Sequence, residues 1–116
     1  MPKPPALTDL HMTDLGNAQA MAQLFGHLLR YDHRRARWLM WNGNRWIEDH
    51  DGYVERIAQA TCVQRARAAC DLTDTEARQK QQRFAVSSES RRSLSAMISL
   101  GQSLFPMTIS GQELDQ

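Results

Sequence analysis

Catalysis and metal binding need particular side chains at particular spacings, and this chain holds few such sets. His11, His27, His33 and His50 stand at no metal-ligand spacing, and Cys62 and Cys70 form no C-x-x-C pair. Within one helix, the separation of these two cysteines corresponds to roughly 12 Å, beyond the ~7 Å reach of a disulfide. They read as two half-buried structural thiols. The carboxylate pairs Asp49/Asp51 and Asp71/Asp74 fall at turn and cap positions. The run Glu48-Asp49-His50-Asp51-Gly52 lacks the long loop and closing Glu of a calcium hand, and reads as a turn feeding a helix cap. Serines are frequent from Ser87 to Ser103, with no histidine near them in sequence. A small serine hydrolase is therefore the weakest reading. No phosphate loop, dinucleotide fingerprint, H-E-x-x-H or G-x-S-x-G is present. The expectation is a non-enzyme, with no catalytic residue, cofactor or metal to assign.

The distinctive segment is Arg37-Trp38-Leu39-Met40-Trp41-Asn42-Gly43-Asn44-Arg45-Trp46. Three tryptophans within nine residues hold much of the available core and interface energy. Twelve of the fourteen basic residues are Arg, whose planar fork suits phosphate and stacks on rings. Arg30, Arg34, Arg35, Arg37 and Arg45 face a single acid, Asp32, between His27 and Trp46. Interleaved Arg and Trp suit weak, non-specific contact with single-stranded nucleic acid. Arg34, Arg35, Arg37, Trp41 and Arg45 are the candidate nucleic-acid or partner contacts. A hairpin returning Arg45 towards Arg37 would gather their guanidinium groups at one end of a small sheet. The acids at 48, 49 and 51 lie just past the hairpin and are placed to neutralise them.

These residues need elements to hold them. Residues 1–12 contain three of the four prolines and no periodicity, so they read as a flexible tail. Met21, Leu24, Phe25, Leu28 and Leu29 then form one helical stripe, with Thr13, Asp14 and Asn17 as candidate N-caps. Gly26 within that stripe suggests close approach of another element. The period next becomes two, predicting strands at about 29–32, 37–41 and 45–48 around an Asn42-Gly43 turn. Alternation puts Trp38 and Trp46 in the core and Trp41 on the other face or at the hairpin end. Val54, Ile57, Ala58, Thr61 and Cys62 mark a helix to about Ala69. Thr73-Asp74-Thr75-Glu76 has the form of a capping box for a helix to about Val86. Ser87 or Ser88 caps a last helix bearing Leu94, Met97, Ile98 and Gly101 on one face, stopped by Pro106. Met107–Ile109 reads as extended, and Ser110–Glu113 as a further capping box.

The expected fold is α+β and mostly helical. It is a single domain over 13–105, with a small antiparallel Trp-rich hairpin or meander packed on a helical bundle. Residues 106–116 read as an extended tail leading to a missing C-terminal part. The 116-residue length suits one domain, and 41% apolar with 23% charged residues is ordinary for a globular chain. No apolar run reaches the ~18 residues of a membrane span, and the start lacks the core of a signal peptide. A cytoplasmic protein without membrane contact is expected. The net charge of +1 names no partner.

Asp14-Leu15-Gly16-Asn17-Ala18, Leu29-Arg30-Tyr31 and Arg37-Trp38-x-x-Trp41-x-Gly43-x-x-Trp46 stand in an order that resembles a known family. Ser88-Glu89-Ser90 before Arg91-Arg92-Ser93-Leu94, and Ile109-Ser110-Gly111-Gln112-Glu113-Leu114-Asp115, extend the likeness. The family is the N-terminal domain of phage and plasmid primase–helicases. This is the helical module ahead of the superfamily-three helicase in phage, plasmid and poxvirus-type proteins. The resemblance implies a role in DNA replication of a mobile element such as a phage, prophage or plasmid. It implies partnership with the helicase and primase domains of a parent protein, linking them and contacting DNA or neighbouring subunits. The Walker motifs of the ATPase and an acidic primase triad find no counterpart here, so the chain reads as an excised domain or truncated frame. An isolated fragment is expected to be monomeric, since ring assembly in such helicases rests mainly on the ATPase part. The alternative is a stand-alone adaptor that binds another protein through the Trp hairpin.

Overall fold

Four helices and four short strands make up the computed structural model, which describes residues 3–109. They are α1 (Asp14–Phe25), β1 (Leu29–Asp32), β2 (Arg37–Trp41), β3 (Trp46–Glu48), α2 (Tyr53–Ala69), α3 (Thr75–Ser87), α4 (Arg91–Gly101) and β4 (Thr108–Ile109). With two short 3-10 turns at Leu7–Asp9 and Gly26–Leu28, more than half of the described residues are helical, so the chain is a single small α+β domain, as its periodicities indicate. A short polar side chain satisfies free amides at each helix start. Thr13 Oγ1 accepts from Gly16 N at 3.0 Å, and Ser90 Oγ from Ser93 N at 3.2 Å. Asp74, not Thr73, caps α3 by accepting from Ala77 N at 3.0 Å. Ser90 likewise replaces the expected Ser87 or Ser88, because Ser88 is buried and engaged elsewhere.

The sheet order is β3-β2-β1-β4. β1, β2 and β3 form the expected antiparallel meander, and β4 adds a fourth strand parallel to β1. Register decides which tryptophan is core. Tyr31 pairs with Trp38 and Leu29 with Met40, so these side chains share one face with Ile47. That face meets the helices: Leu29 is buried, and the Trp38 ring packs on the core beside Gly101 of α4. Trp41 pairs with Trp46, which places both on the opposite, outer face. The expectation that Trp46 lies in the core with Trp38 is thus corrected. Four residues intervene between β2 and β3, so even-numbered positions of one strand share a face with odd-numbered positions of the other.

The core joins Ala18 and Met21 of α1, Leu29, Ile57 and Cys62 of α2's inner stripe, Met97 of α4 and Met107. Met107 is fully buried, so residues 106–109 are built into the domain and are not a separate tail. The Pro106 ring lies against Gly26, where a Cβ would stand 2.8 Å from it. The Ser110–Glu113 capping form lies outside the described residues. At the other end, residues 7–11 are packed on the helices, contrary to a loose start. A Cβ on Gly16 would overlap the His11 carbonyl, so the chain passes directly over α1 there.

What draws that segment in is Arg65 of α2, which is buried to 2% exposure. Its Nη1 donates to the carbonyl of His11 and to Asn17 Oδ1, both at 3.1 Å. Its Nη2 donates to the carbonyls of Leu10 at 2.9 Å and Leu7 at 3.4 Å. The guanidinium also lies 5.2 Å from the Phe84 ring centre. Asn17 passes the connection on, its Nδ2 donating to Ser88 Oγ at 2.9 Å, and Ser88 Oγ donates to the Phe84 carbonyl at 2.8 Å. Burial pulls the Arg65 pKa below its ordinary value.

The tryptophan placement sets an order of stability effects. Trp38→Ala removes a ring packed on the core and is expected to cost ~3–5 kcal/mol. Trp46→Ala removes one aromatic pair and one cation–π contact on the outer face, about 1–2 kcal/mol. Urea unfolding of the two variants checks this, and a Trp46→Ala loss equal to that of Trp38→Ala contradicts the placement.

Candidate nucleic-acid interface

The outer face of the sheet carries Arg30 and Asp32 from β1, Arg37, Leu39 and Trp41 from β2, and Trp46 and Glu48 from β3. Its two ends differ. At the β1–β2 turn, Asp32 is fully buried and collects donors. Its Oδ1 accepts from Arg34 N at 3.1 Å and Arg35 N at 3.3 Å, and its Oδ2 from Arg35 Nη1 at 3.4 Å and Arg37 Nε at 3.3 Å. Burial opposes ionisation of this carboxyl and is the largest single influence. The Arg35 amide, the Arg35 and Arg37 guanidiniums and the Arg34 amide together outweigh it, and hold the pKa below the usual value. Arg37 also meets Glu48 at 3.8 Å.

The β2–β3 turn forms the other end. Asn42 Oδ1 accepts from Asn44 N and Arg45 N, each at 2.9 Å, and Gly43 takes a φ of 102°. This is a four-residue loop, wider than the tightest Asn-Gly turn. The Trp41 and Trp46 rings lie 5.3 Å apart at 59°, and the Arg30 guanidinium sits 4.6 Å over Trp46. Arg30 Nη1 also donates to the carbonyls of Gly26 and Leu29. Trp41 is 36% exposed.

The structure therefore divides the candidate residues. Arg34, Arg35 and Arg37 stand at one end of β2; Trp41 and Arg45 stand at the other, roughly 14 Å along the strand at ~3.4 Å per residue. The four arginines do not gather at one end, because β2 runs its full length between Arg37 and the turn that carries Arg45. Arg35 and Arg37 are held by Asp32. Arg34 and Arg45 are exposed, and among the described residues neither guanidinium has an ion pair or hydrogen bond. The acids past the hairpin are also engaged. Glu48 takes Arg37 and faces His50, Asp51 takes Arg56 at 3.2 Å, and Asp49 caps α2. Asp49 accepts from Asp51 N, Tyr53 N and Val54 N, which outweighs its partial burial and lowers its pKa.

Elsewhere the surface offers little chemistry. An apolar groove of about 370 Å³ between α2 and α3 is lined by Cys62, Val63, Ala66, Cys70, Ala85 and Val86, among others. Burial first, and then Glu89, pushes the Cys62 thiol up to about 11, so it stays protonated. Cys62 is buried and Cys70 exposed, where both were expected to be half-buried. Among the described residues no group of three His, Cys, Asp or Glu is placed to hold a metal, and no helix is long and apolar enough to cross a membrane.

Asp32 makes the turn sensitive to acid. A carboxyl with a lowered folded pKa adds stability above its unfolded value of ~3.9, and that contribution is lost as pH falls through the folded value. Asp32→Asn is expected to be less stable than wild type at pH 7, with the gap closing below about pH 4. Urea midpoints of both proteins between pH 2 and 7 read this, in steps of about one unit around the unfolded carboxylate value. Parallel profiles contradict it.

A family model described as D5 N terminal like matches residues 18–116, and thus most of the chain. No curated protein and no solved structure matches. The match takes in the strand meander, the tryptophan segment and α2 to α4, while Asp14–Asn17 lie just ahead of it. The chain belongs to the D5 N terminal like family, the non-catalytic N-terminal module of primase–helicase-type proteins.

Proposed function

We propose that this chain is the N-terminal module of a phage, prophage or plasmid replication protein of the primase–helicase type, and that it contacts DNA through the outer face of its sheet. It acts in the cytoplasm, without a cofactor of its own, linking the primase and helicase parts of its parent protein. The observation that carries the DNA contact is that Arg34 and Arg45 are exposed in the turns at the two ends of β2, with no ion pair or hydrogen bond to either guanidinium among the described residues. Trp41 and the stacked Trp46–Arg30 pair lie on that face. A polyanion is attracted to such cations without any base readout. The bound cations Arg35 and Arg37 add little to this attraction, since Asp32 and Glu48 already offset them.

The structure also chooses the variants that test the reading. Arg35→Glu would set a second carboxylate beside buried Asp32 and disturb the fold. Arg34→Gln/Arg45→Gln leaves the Asp32 cluster intact. Each phosphate neutralised on a single strand adds about 0.7 to the slope of log affinity against log salt. Wild type is expected to bind a labelled single-stranded oligonucleotide in the micromolar range at low salt. The double variant should bind more weakly, with a slope shallower by about 1.4. Fluorescence anisotropy across a salt series reads both. No binding by wild type at low salt, or an unchanged slope in the variant, overturns the reading. In the first case a protein-binding role for the hairpin takes its place.

A further inference from the structure

The Trp end of the outer face differs from the rest of the surface. Trp41 closes β2 with its ring turned outward and 36% exposed, although a ring this large is worth burying. It is not loose. Trp46 lies against it at 5.3 Å and 59°, and Trp46 is itself covered by the Arg30 guanidinium at 4.6 Å. The stack Arg30–Trp46–Trp41 is thus built outward from β1, through β3, to an aromatic surface left open at the turn. The turn below it is fixed by the two hydrogen bonds to Asn42 Oδ1, which hold the backbone of Arg45 in place. Arg45 closes that turn one residue before Trp46; it is exposed, and among the described residues its guanidinium has no ion pair or hydrogen bond. The nearest outward-facing acid on β3 is Glu48, and it is taken by Arg37 and His50 at the other end.

An aromatic ring pre-positioned by its neighbours, with an exposed arginine in the adjoining turn and, among the described residues of that face, no carboxylate without a partner, fits one kind of ligand. It needs a flat π-face and a phosphate a few ångströms away. Duplex DNA presents phosphates but keeps its base faces stacked inside. A single strand presents both, and every base offers a face, so recognition is indifferent to sequence. We infer that Trp41 is a base-stacking platform for single-stranded DNA, with Arg45 holding the adjoining phosphate. The inference rests on the reading of the outer face as a DNA contact and narrows it to unpaired strands.

The test separates the two claims. The probes are a labelled oligothymidylate, a strand of equal length made of abasic sites, and a duplex of the same length. Stacking of one base corresponds to a roughly 5- to 150-fold change in affinity. Since Trp41 is only partly exposed, the lower part of that range applies. Wild type is expected to bind the oligothymidylate about fivefold to tenfold more tightly than the abasic strand at the same salt, and more tightly than the duplex. Trp41→Ala should erase the preference over the abasic strand while leaving the salt slope unchanged, and Trp41→Phe should restore most of it. Phe105→Ala removes another exposed ring, one whose groove is lined by Pro4, Gln19, Ala22, Gln23 and other uncharged residues, and should change nothing. If all three strands bind alike, or Trp41→Ala keeps the wild-type preference, the stacking site is wrong and DNA contact through the arginines stands. If no probe binds, both fail. Should Trp41→Ala not fold, the wild-type comparison of thymidylate with abasic strand and the Trp41→Phe variant still decide.

Discussion

A buried arginine with no carboxylate partner among the described residues ties the N-terminal segment and three helices together. Taking a charge out of water costs several kcal/mol unless its hydrogen bonds are replaced. The two terminal nitrogens of Arg65 replace them with the carbonyls of Leu7, Leu10 and His11 and the side-chain oxygen of Asn17, while its buried Nε has no partner among the described residues. The first three belong to the N-terminal segment, which Gln81 and Gln23 also hold by donating to the carbonyls of Thr8 and Pro5. The fourth fixes α1 against α2, and through Ser88 it fixes the end of α3. This gives a physical meaning to two stretches that mark the family resemblance. Gly16 admits the His11 carbonyl to Arg65, Asn17 relays the contact, and Ser88 receives it. Stretches far apart in sequence meet at one guanidinium, and their work is structural.

Asp32 is the same device with the charge reversed. A fully buried carboxylate is satisfied by two turn amides and two guanidiniums. The consequence reaches the surface. By binding Arg35 and Arg37, Asp32 turns two of the five arginines of that stretch into structure, while Arg34 and Arg45 are exposed and have no ion pair among the described residues. A net charge of +1 is therefore compatible with a face that attracts a polyanion, because the acids on that face, Asp32 and Glu48, are committed before any ligand arrives. In the proposed reading the helical bundle is scaffold and the outer sheet face makes the contact.

Much of this was legible in the sequence. Helical stripes, the change to a two-residue period and the Asn42-Gly43 turn located seven of the eight elements, because each rests on local spacing. Facing was harder. Trp46 lies on the face opposite to the one alternation indicates, because a strand's parity does not carry across a loop of four residues. The gathering of four arginines failed for a related reason: hairpin closure brings Arg45 back beside Asn42, not beside Arg37. β4 as a sheet strand was hidden, since a two-residue pairing with a strand nearly eighty residues earlier leaves no local pattern. Arg65 did leave a signal. The stripe Val54, Ile57, Ala58, Thr61, Cys62 runs on through position 65 to Ala69, and an arginine inside an apolar stripe must be paired internally. Its partners, being backbone carbonyls, carry no sequence mark.

The claim that contact lies on the outer sheet face, with the helices as scaffold, is tested most directly by the three tryptophan indole N–H signals. They report separate places: Trp38 on the core face, Trp41 and Trp46 on the outer face. A titration of isotope-labelled protein with oligothymidylate, followed by nitrogen–proton correlation spectra, reads all three at once. The account expects the Trp41 and Trp46 indoles and the amides of 42–45 to shift together, while Trp38 and the α2–α3 groove stay still. Shifts centred on α2 and α3, or on Trp38 with the outer pair unmoved, contradict it.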